Sequence, residues 1–259
     1  MDNSVRFRLP VCLIAAMAGD STTAETLLRR YYSSRLEGDA GDRNPTGWFS
    51  GAYYDEWTQS PHPAQPEEFT AEDILAASYL SAPIEGRAAA VILHRRREEF
   101  NYFLAEAVQA CSGYASLSQV PLEKTSYTGR IKLLPDTAWA PFVLEKKLRE
   151  VDGIGAVRAS KLIARKLPHI YPIYDERVTA LTGAREQYLR PLHIALVEDP
   201  GIEQMLKALR EAVGLRESIS ALRVFDVLAW MEQTDLLRGS EKYKLVTSKD
   251  PCGSSLSPV

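Results

Sequence analysis

Two glycines set one residue apart, Gly153 and Gly155, interrupt an otherwise helical apolar spacing and call for a helix, a tight turn and a second helix. Leu148 and Val151 approach the turn at helical intervals, and Ala159, Leu162 and Ile163 leave it the same way. A connection bounded by Pro168 and Pro172 then delivers Asp175 to the expected N-terminus of a third helix. The stretch Leu148 to Val178 therefore holds one carboxylate at a fixed remove from one turn.

Gly153 and Gly155 allow backbone torsions that side-chained residues resist, so the turn can be tight and can present bare amides. Together with the start of the following helix, those amides make a positive pole suited to one phosphate. Ile154 between them is expected to plug the hairpin into the core. Beyond the turn Arg158, Lys161 and Arg165 recur at helical spacing on one side, with Lys166 beside them, and extend the expected contact along a polyanionic backbone without reading sequence. Charge agrees locally: Glu145 to Arg190 holds ten Lys or Arg against six Asp or Glu, a net of +4 in a chain whose net charge is −3.

The 259 residues, 45% of them apolar, suffice for a core of one large domain or two small lobes. Cys12, Cys111 and Cys252 show no C-x-x-C spacing, which points away from a disulfide framework or a cysteine-held cluster and toward a reducing cytoplasm. His62, His94, His169 and His193 are scattered without metal-ligand spacing, so neither a metal site nor a cofactor is expected. The apolar run Val11 to Ala18 is too short to span a membrane. No membrane association and no obligate protein partner are read from the chain.

The expected fold class is all-α, a bilobal helical bundle around a central helix-hairpin-helix motif. One helical domain is expected over residues 1–238, with the hairpin and the carboxylate segment at 137–183 and a disordered tail over 239–259. Thr22 and Glu25 stand in capping-box spacing at the head of a helix to Leu36, and Thr70 and Asp73 head another to Leu80. A longer helix is expected from Gly86 to Cys111, then loop from Ser112 to Pro135 with a short extended piece near Tyr127 to Leu134. Asp136 or Thr137 is expected to cap the first helix of the hairpin. After Asp175 a short helix stops at Gly183, and three more follow over Glu186 to Val197, Ile202 to Val213 and Ser220 to Met231, the last apolar enough for a core helix. Between Glu37 and Glu67 four prolines and four glycines accompany Trp48, Phe49, Tyr53, Tyr54 and Trp57. Trp48, Tyr53 and Tyr54 are candidates to stack or enclose a base, with Asp55 and Glu56 as acceptors; the same aromatics fit a loop pinned to the core rather better.

A bare pair of glycines also fits a plain αα-corner. With its apolar frame, however, the segment from Leu148 to Ile163 resembles the helix-hairpin-helix motif of DNA-binding proteins. Asp175, 22 positions after Gly153 and set in YPIYDERV, extends the likeness to the base-excision DNA glycosylases of that superfamily, the endonuclease III and adenine glycosylase type. The resemblance covers about Leu148 to Leu181. FTAEDILAAS, the hairpin and LRVFDVLAWM are also similar to an uncharacterised bacterial family.

That resemblance implies a substrate, double-stranded DNA carrying a modified or damaged base, and a role for Asp175. Breaking a base–sugar bond builds positive charge on the sugar, which a carboxylate beneath C1′ stabilises while it orients water. A helix N-terminus suits that carboxylate, although an aspartate there is also an ordinary N-cap. Relatives that cut the backbone carry a lysine four positions after the first hairpin glycine; here that position is Val157, which implies base removal without strand cutting. Asp152 stands where a proline is common, and the four-cysteine cluster of many relatives is missing. Some bacterial glycosylases of this kind remove hypermodified cytosines from phage DNA, and a repair role fits these residues as well. A helix-hairpin-helix protein that binds DNA without catalysis is the alternative.

Overall fold

The computed structural model describes residues 7–36, 49–56, 66–121, 123–125, 132–134, 139–184 and 188–247. Among them are twelve α-helices: α1 (Val11–Met17), α2 (Thr22–Leu36), α3 (Gly51–Glu56), α4 (Ala71–Tyr79), α5 (Gly86–Ala90), α6 (Arg97–Cys111), α7 (Ala140–Leu148), α8 (Ala156–Lys166), α9 (Glu176–Thr182), α10 (Leu189–Glu198), α11 (Pro200–Ala212) and α12 (Ala221–Thr247). The fold is mainly α, as expected. A short antiparallel hairpin, β1 (Glu123–Thr125) with β2 (Lys132–Leu134), occupies part of the interval read as loop. No helix is long and apolar enough to cross a membrane among the described residues.

The centre of the molecule is α12, which packs against α9, α2, α11 and α1. Leu222, Val224, Phe225, Val227, Leu228, Ala229 and Met231 are all buried on it. Each large side chain among them contributes about 1.5–3 kcal/mol by leaving water. Glu232 of the same helix accepts the main-chain N–H groups of Val11 and Cys12, both at 2.9 Å, and so caps α1 where Pro10 offers no side-chain oxygen. The helix runs on to Thr247, so residues 239–247 are not the tail their composition implied; one glycine among Leu, Glu and Lys does not stop a helix already anchored in a core.

Capping sets several other starts. At α2 the cap sits one residue earlier than expected: Asp20 accepts the Thr22 N–H at 3.1 Å and the Ser21 hydroxyl donates to Glu25 at 2.6 Å. At α4 the Thr70–Asp73 capping box is complete. The expected helix from Gly86 to Cys111 is broken by a π turn over Val91–Arg95, closed by Arg96 N–H to the Val91 carbonyl at 2.9 Å. Arg96 then bridges Glu99 and Glu150, tying α6 to the end of α7. Asp136 and Thr137, the expected caps of α7, lie outside the described residues; α7 starts at Ala140 with Pro141 in its first turn.

Candidate functional site

Helices α7 and α8 are the two arms of the glycine hairpin. Between them the chain turns through Gly153, whose φ of +84° lies in the left-handed region that a side chain disfavours. Val151 and Ile154 are buried at 5% and 4% exposure, so the turn is plugged into the core as the sequence implied. Gly155 precedes α8 without any side-chain cap, which leaves the opening amides of that helix to solvent or to a ligand. Arg158 braces the turn: its NH1 donates to the Gly153 carbonyl at 2.8 Å and its Nε to the Pro83 carbonyl at 2.7 Å. Glu150 and Asp152 border the same shallow depression.

Lys161 and Arg165 do not form a surface stripe with Arg158. Helix α4 covers that side of α8 and turns both inward. The Arg165 Nε donates to Asp73 at 2.8 Å and its NH1 to the Tyr54 carbonyl at 2.9 Å, while Lys166 reaches the other Asp73 oxygen at 2.7 Å. Asp73 thus caps α4 and clamps α8 with one carboxylate. Lys161 is 2% exposed, and its amine donates to the Leu80 carbonyl at 2.8 Å. The expectation of phosphate contacts by Lys161 and Arg165 is therefore corrected: both are internal.

What Lys161 faces is a cleft of about 450 Å³, within the usual range for small-ligand sites. Asp175 enters it from the head of α9. One carboxylate oxygen accepts the Arg177 N–H at 2.9 Å, capping the helix, and the other lies 3.5 Å from the Lys161 amine. The approach segment is held to α8 by the Ser160 hydroxyl, which accepts the Tyr174 N–H at 3.0 Å. Burial lowers the Lys161 pKa below the ordinary lysine value, opposed by the carboxylates of Asp175 and Asp226. Val157, one turn before Lys161, also lines the cleft.

The opposite wall comes from α12. Arg223 is buried and donates from Nε to Asp55 at 2.9 Å, from NH2 to the Tyr31 hydroxyl at 2.8 Å and the Gly51 carbonyl at 3.0 Å, and from NH1 to Asp226. Burial opposes its charge, but Asp55 and the other acidic neighbours outweigh that and hold it well above the usual arginine value. Gly51 is obligatory for this contact, because a Cβ there would come within 1.9 Å of the Tyr31 hydroxyl. Burial pushes the Asp226 carboxyl up to about 6, with Asp175 adding to the rise and Arg223 and Lys161 opposing it. Phe49 stacks on Tyr31 with ring centres 5.5 Å apart and meets Trp230 edge-on at 5.7 Å, and these rings with Tyr79 give the cleft flat apolar sides.

The aromatic candidates divide. Trp48 lies outside the described residues. Tyr54 is buried beneath the cleft, where its hydroxyl donates to the Lys161 carbonyl at 2.7 Å, so it supports α8 and does not face a ligand. Tyr53 sits behind Tyr79, their ring centres 5.6 Å apart. Asp55, expected as a ligand acceptor, is engaged with Arg223 and with the Tyr32 hydroxyl at 2.9 Å. Sequence reasoning missed Tyr31, Arg223, Asp226 and Trp230; the available signal was a charged pair, three residues apart, inside an apolar helix. Among the described residues no cluster of His, Cys, Asp or Glu is arranged to hold a metal ion.

No curated protein and no solved structure matches the chain. One family model does, over residues 24–233, a span from α2 to α12 that contains every residue named in the cleft. The chain therefore belongs to DUF6308, a family of unknown function.

Proposed function

We propose that this protein is a monofunctional DNA glycosylase, which takes a modified or damaged base out of double-stranded DNA and hydrolyses its bond to the sugar, leaving an abasic site. The observation that carries the reading is the pairing of Asp175 with Lys161 at the floor of an aromatic-walled cleft, next to the glycine hairpin. Asp175 meets the positive charge that develops at C1′ and orients the attacking water. Phe49, Tyr79 and Trp230 offer flat faces to a flipped base. The hairpin amides at Gly153 and Gly155, with Arg158 beside them, take a backbone phosphate, whereas the expected part of Ile154 is limited to holding the turn, since its own N–H donates to the Val151 carbonyl at 2.9 Å.

A protein that only binds DNA has no use for a carboxylate and an amine converging inside a cleft, which favours the enzyme over the binding module. Val157 at the usual lysine position supports hydrolysis without strand cutting. A hypermodified cytosine of phage DNA and a damaged base in the cell's own DNA are both substrates the cleft volume admits. A reducing cytoplasm suits the free, buried thiols of Cys12 and Cys111.

The test incubates the protein with genomic DNAs bearing different base modifications and then treats them with alkali, which cuts at abasic sites. Wild type is expected to generate alkali-dependent breaks on one of them, and Asp175→Asn none. Equal behaviour of the two proteins would remove Asp175 from the chemistry. Breaks without alkali would instead give Lys161, one turn beyond Val157, an imine-forming role and end the monofunctional reading.

A further inference from the structure

The floor of the cleft and the layer beneath it bring together three carboxylates, Asp55, Asp175 and Asp226, and two cations, Lys161 and Arg223; Glu176 and Arg177, which also line the cleft, offset each other in charge. Where Arg223 and Asp226 are buried, an unbalanced negative charge is costly, and one proton removes the imbalance. The hydrogen bonds say where that proton belongs. Asp55 accepts from Arg223 and from Tyr32, and Asp175 accepts from a main-chain N–H and lies against the Lys161 amine. Asp226 is 5% exposed, gives Oδ2 to Arg223, and has no hydrogen-bond partner for Oδ1 among the described residues. Holding Arg223 does not explain that orphaned oxygen, since Asp55, Tyr31 and the Gly51 carbonyl already fix the guanidinium. A proton on Oδ1 would make it a donor that lacks an acceptor, and because Asp226 lines the cleft, a base bound there supplies one.

We propose that Asp226 is the general acid of the site, the group that protonates the base as it leaves; this rests on the glycosylase reading above. As the bond from C1′ to the base nitrogen breaks, its electron pair stays with the base and the Asp226 proton is transferred to the base. Water adds its oxygen to C1′, and the proton it loses returns to the carboxylate pair of Asp175 and Asp226. One water is consumed, and a free base and an abasic sugar are formed. The two carboxylates then have separate tasks, Asp175 toward the sugar and Asp226 toward the base, a division that unequal surroundings enforce.

The proton of Asp226 answers to the groups around it: Arg223 on its own helix, Asp175 on α9, Lys161 on α8, Asp55 on α3 and the hydroxyls of Tyr31, Tyr54 and Tyr188, with Glu176 and Arg177 of α9 lining the same cleft. Tyr188, like Asp226, has a buried oxygen without a partner among the described residues. Burial dominates, and the carboxyl holds its proton up to about pH 6, so the rate of base release is expected to fall as pH rises above that value.

Two measurements on the full chain decide this. The first titrates the aspartate carboxyl carbons by NMR in wild-type protein labelled with carbon-13; Asp226 is expected near 6, and titration in the ordinary carboxylate range overturns the proposal whatever the protein's activity. The second measures base release against pH on the DNA that wild type depurinates or depyrimidinates. Asp226→Asn, which keeps an oxygen for Arg223, is expected to slow release about a hundredfold and to flatten the alkaline fall, with DNA affinity unchanged. Asp226→Glu is expected to retain the fall, and it stands in should the asparagine variant not fold. An asparagine variant as fast as wild type with the same pH profile overturns the acid while leaving the glycosylase reading intact. Absence of base release from wild type on every DNA overturns both.

Discussion

Helix α8 takes part in two regions built on opposite terms. At its N-terminal end Asp152, Gly153 and Gly155 are exposed, no side chain caps the helix, and Arg158 ties the turn to Pro83. Two turns further on, the side chains of Lys161 and Arg165 are 2% and 4% exposed and end on Asp175, Asp73 and main-chain carbonyls. The cations of this helix hold a cleft in shape, so what it offers to a phosphate is chiefly its backbone. On the glycosylase reading proposed above, the hairpin positions the DNA and the cleft carries the chemistry.

The strongest way to break that division is through the hub of the cleft. Arg223→Met leaves Asp55 and Asp226 buried without their cation, which is expected to cost about 3–5 kcal/mol and to lower the thermal midpoint by roughly 6–20 °C. A melting curve that does not move would mean the network adds no net stability. Lys161→Met comes next. It is expected to slow base release at least tenfold while leaving DNA affinity and its salt dependence unchanged, whereas a surface lysine would show the reverse pattern. Binding assays at several salt concentrations separate the two.

At the other end, Gly153→Val forces a branched side chain to adopt a φ of +84°, expected to cost about 1–2 kcal/mol. DNA affinity should fall about tenfold, and release from saturated complex should stay near wild type. An unchanged affinity would take the hairpin out of the interface. The smallest expected effect is the salt dependence itself. With Lys161 and Arg165 internal, the slope of log affinity against log salt should be near −1 to −2, the signature of one or two phosphates. A slope beyond −4 would reveal a basic surface elsewhere on the molecule.

Much of this arrangement was legible in the sequence because it is local. Leu148, Val151, Ile154, Ala159, Leu162 and Ile163 are all buried, and Asp175 caps α9 as its place before Glu-Arg-Val implied. Periodicity and capping speak about a few neighbouring turns, and here they spoke well. The direction of Lys161 and Arg165 was not legible, since basic residues at helical spacing read as a solvated face until α4 is known to lie over them. Arg223 and Asp226 reach the site from a helix that begins more than forty positions after Asp175, and no local pattern joins them to it. The π turn at Val91 and the continuation of α12 past Gly239 depend on packing and on an anchored helix, which propensity alone does not report.

The central claim is that Asp175 drives the release of a base. Mass spectrometry of the small molecules freed from modified genomic DNA tests it most directly. Wild type is expected to release a free base, and Asp175→Asn to bind the same DNA while releasing at least about a hundredfold less. Equal release by both proteins, or none by wild type across the panel, would contradict it.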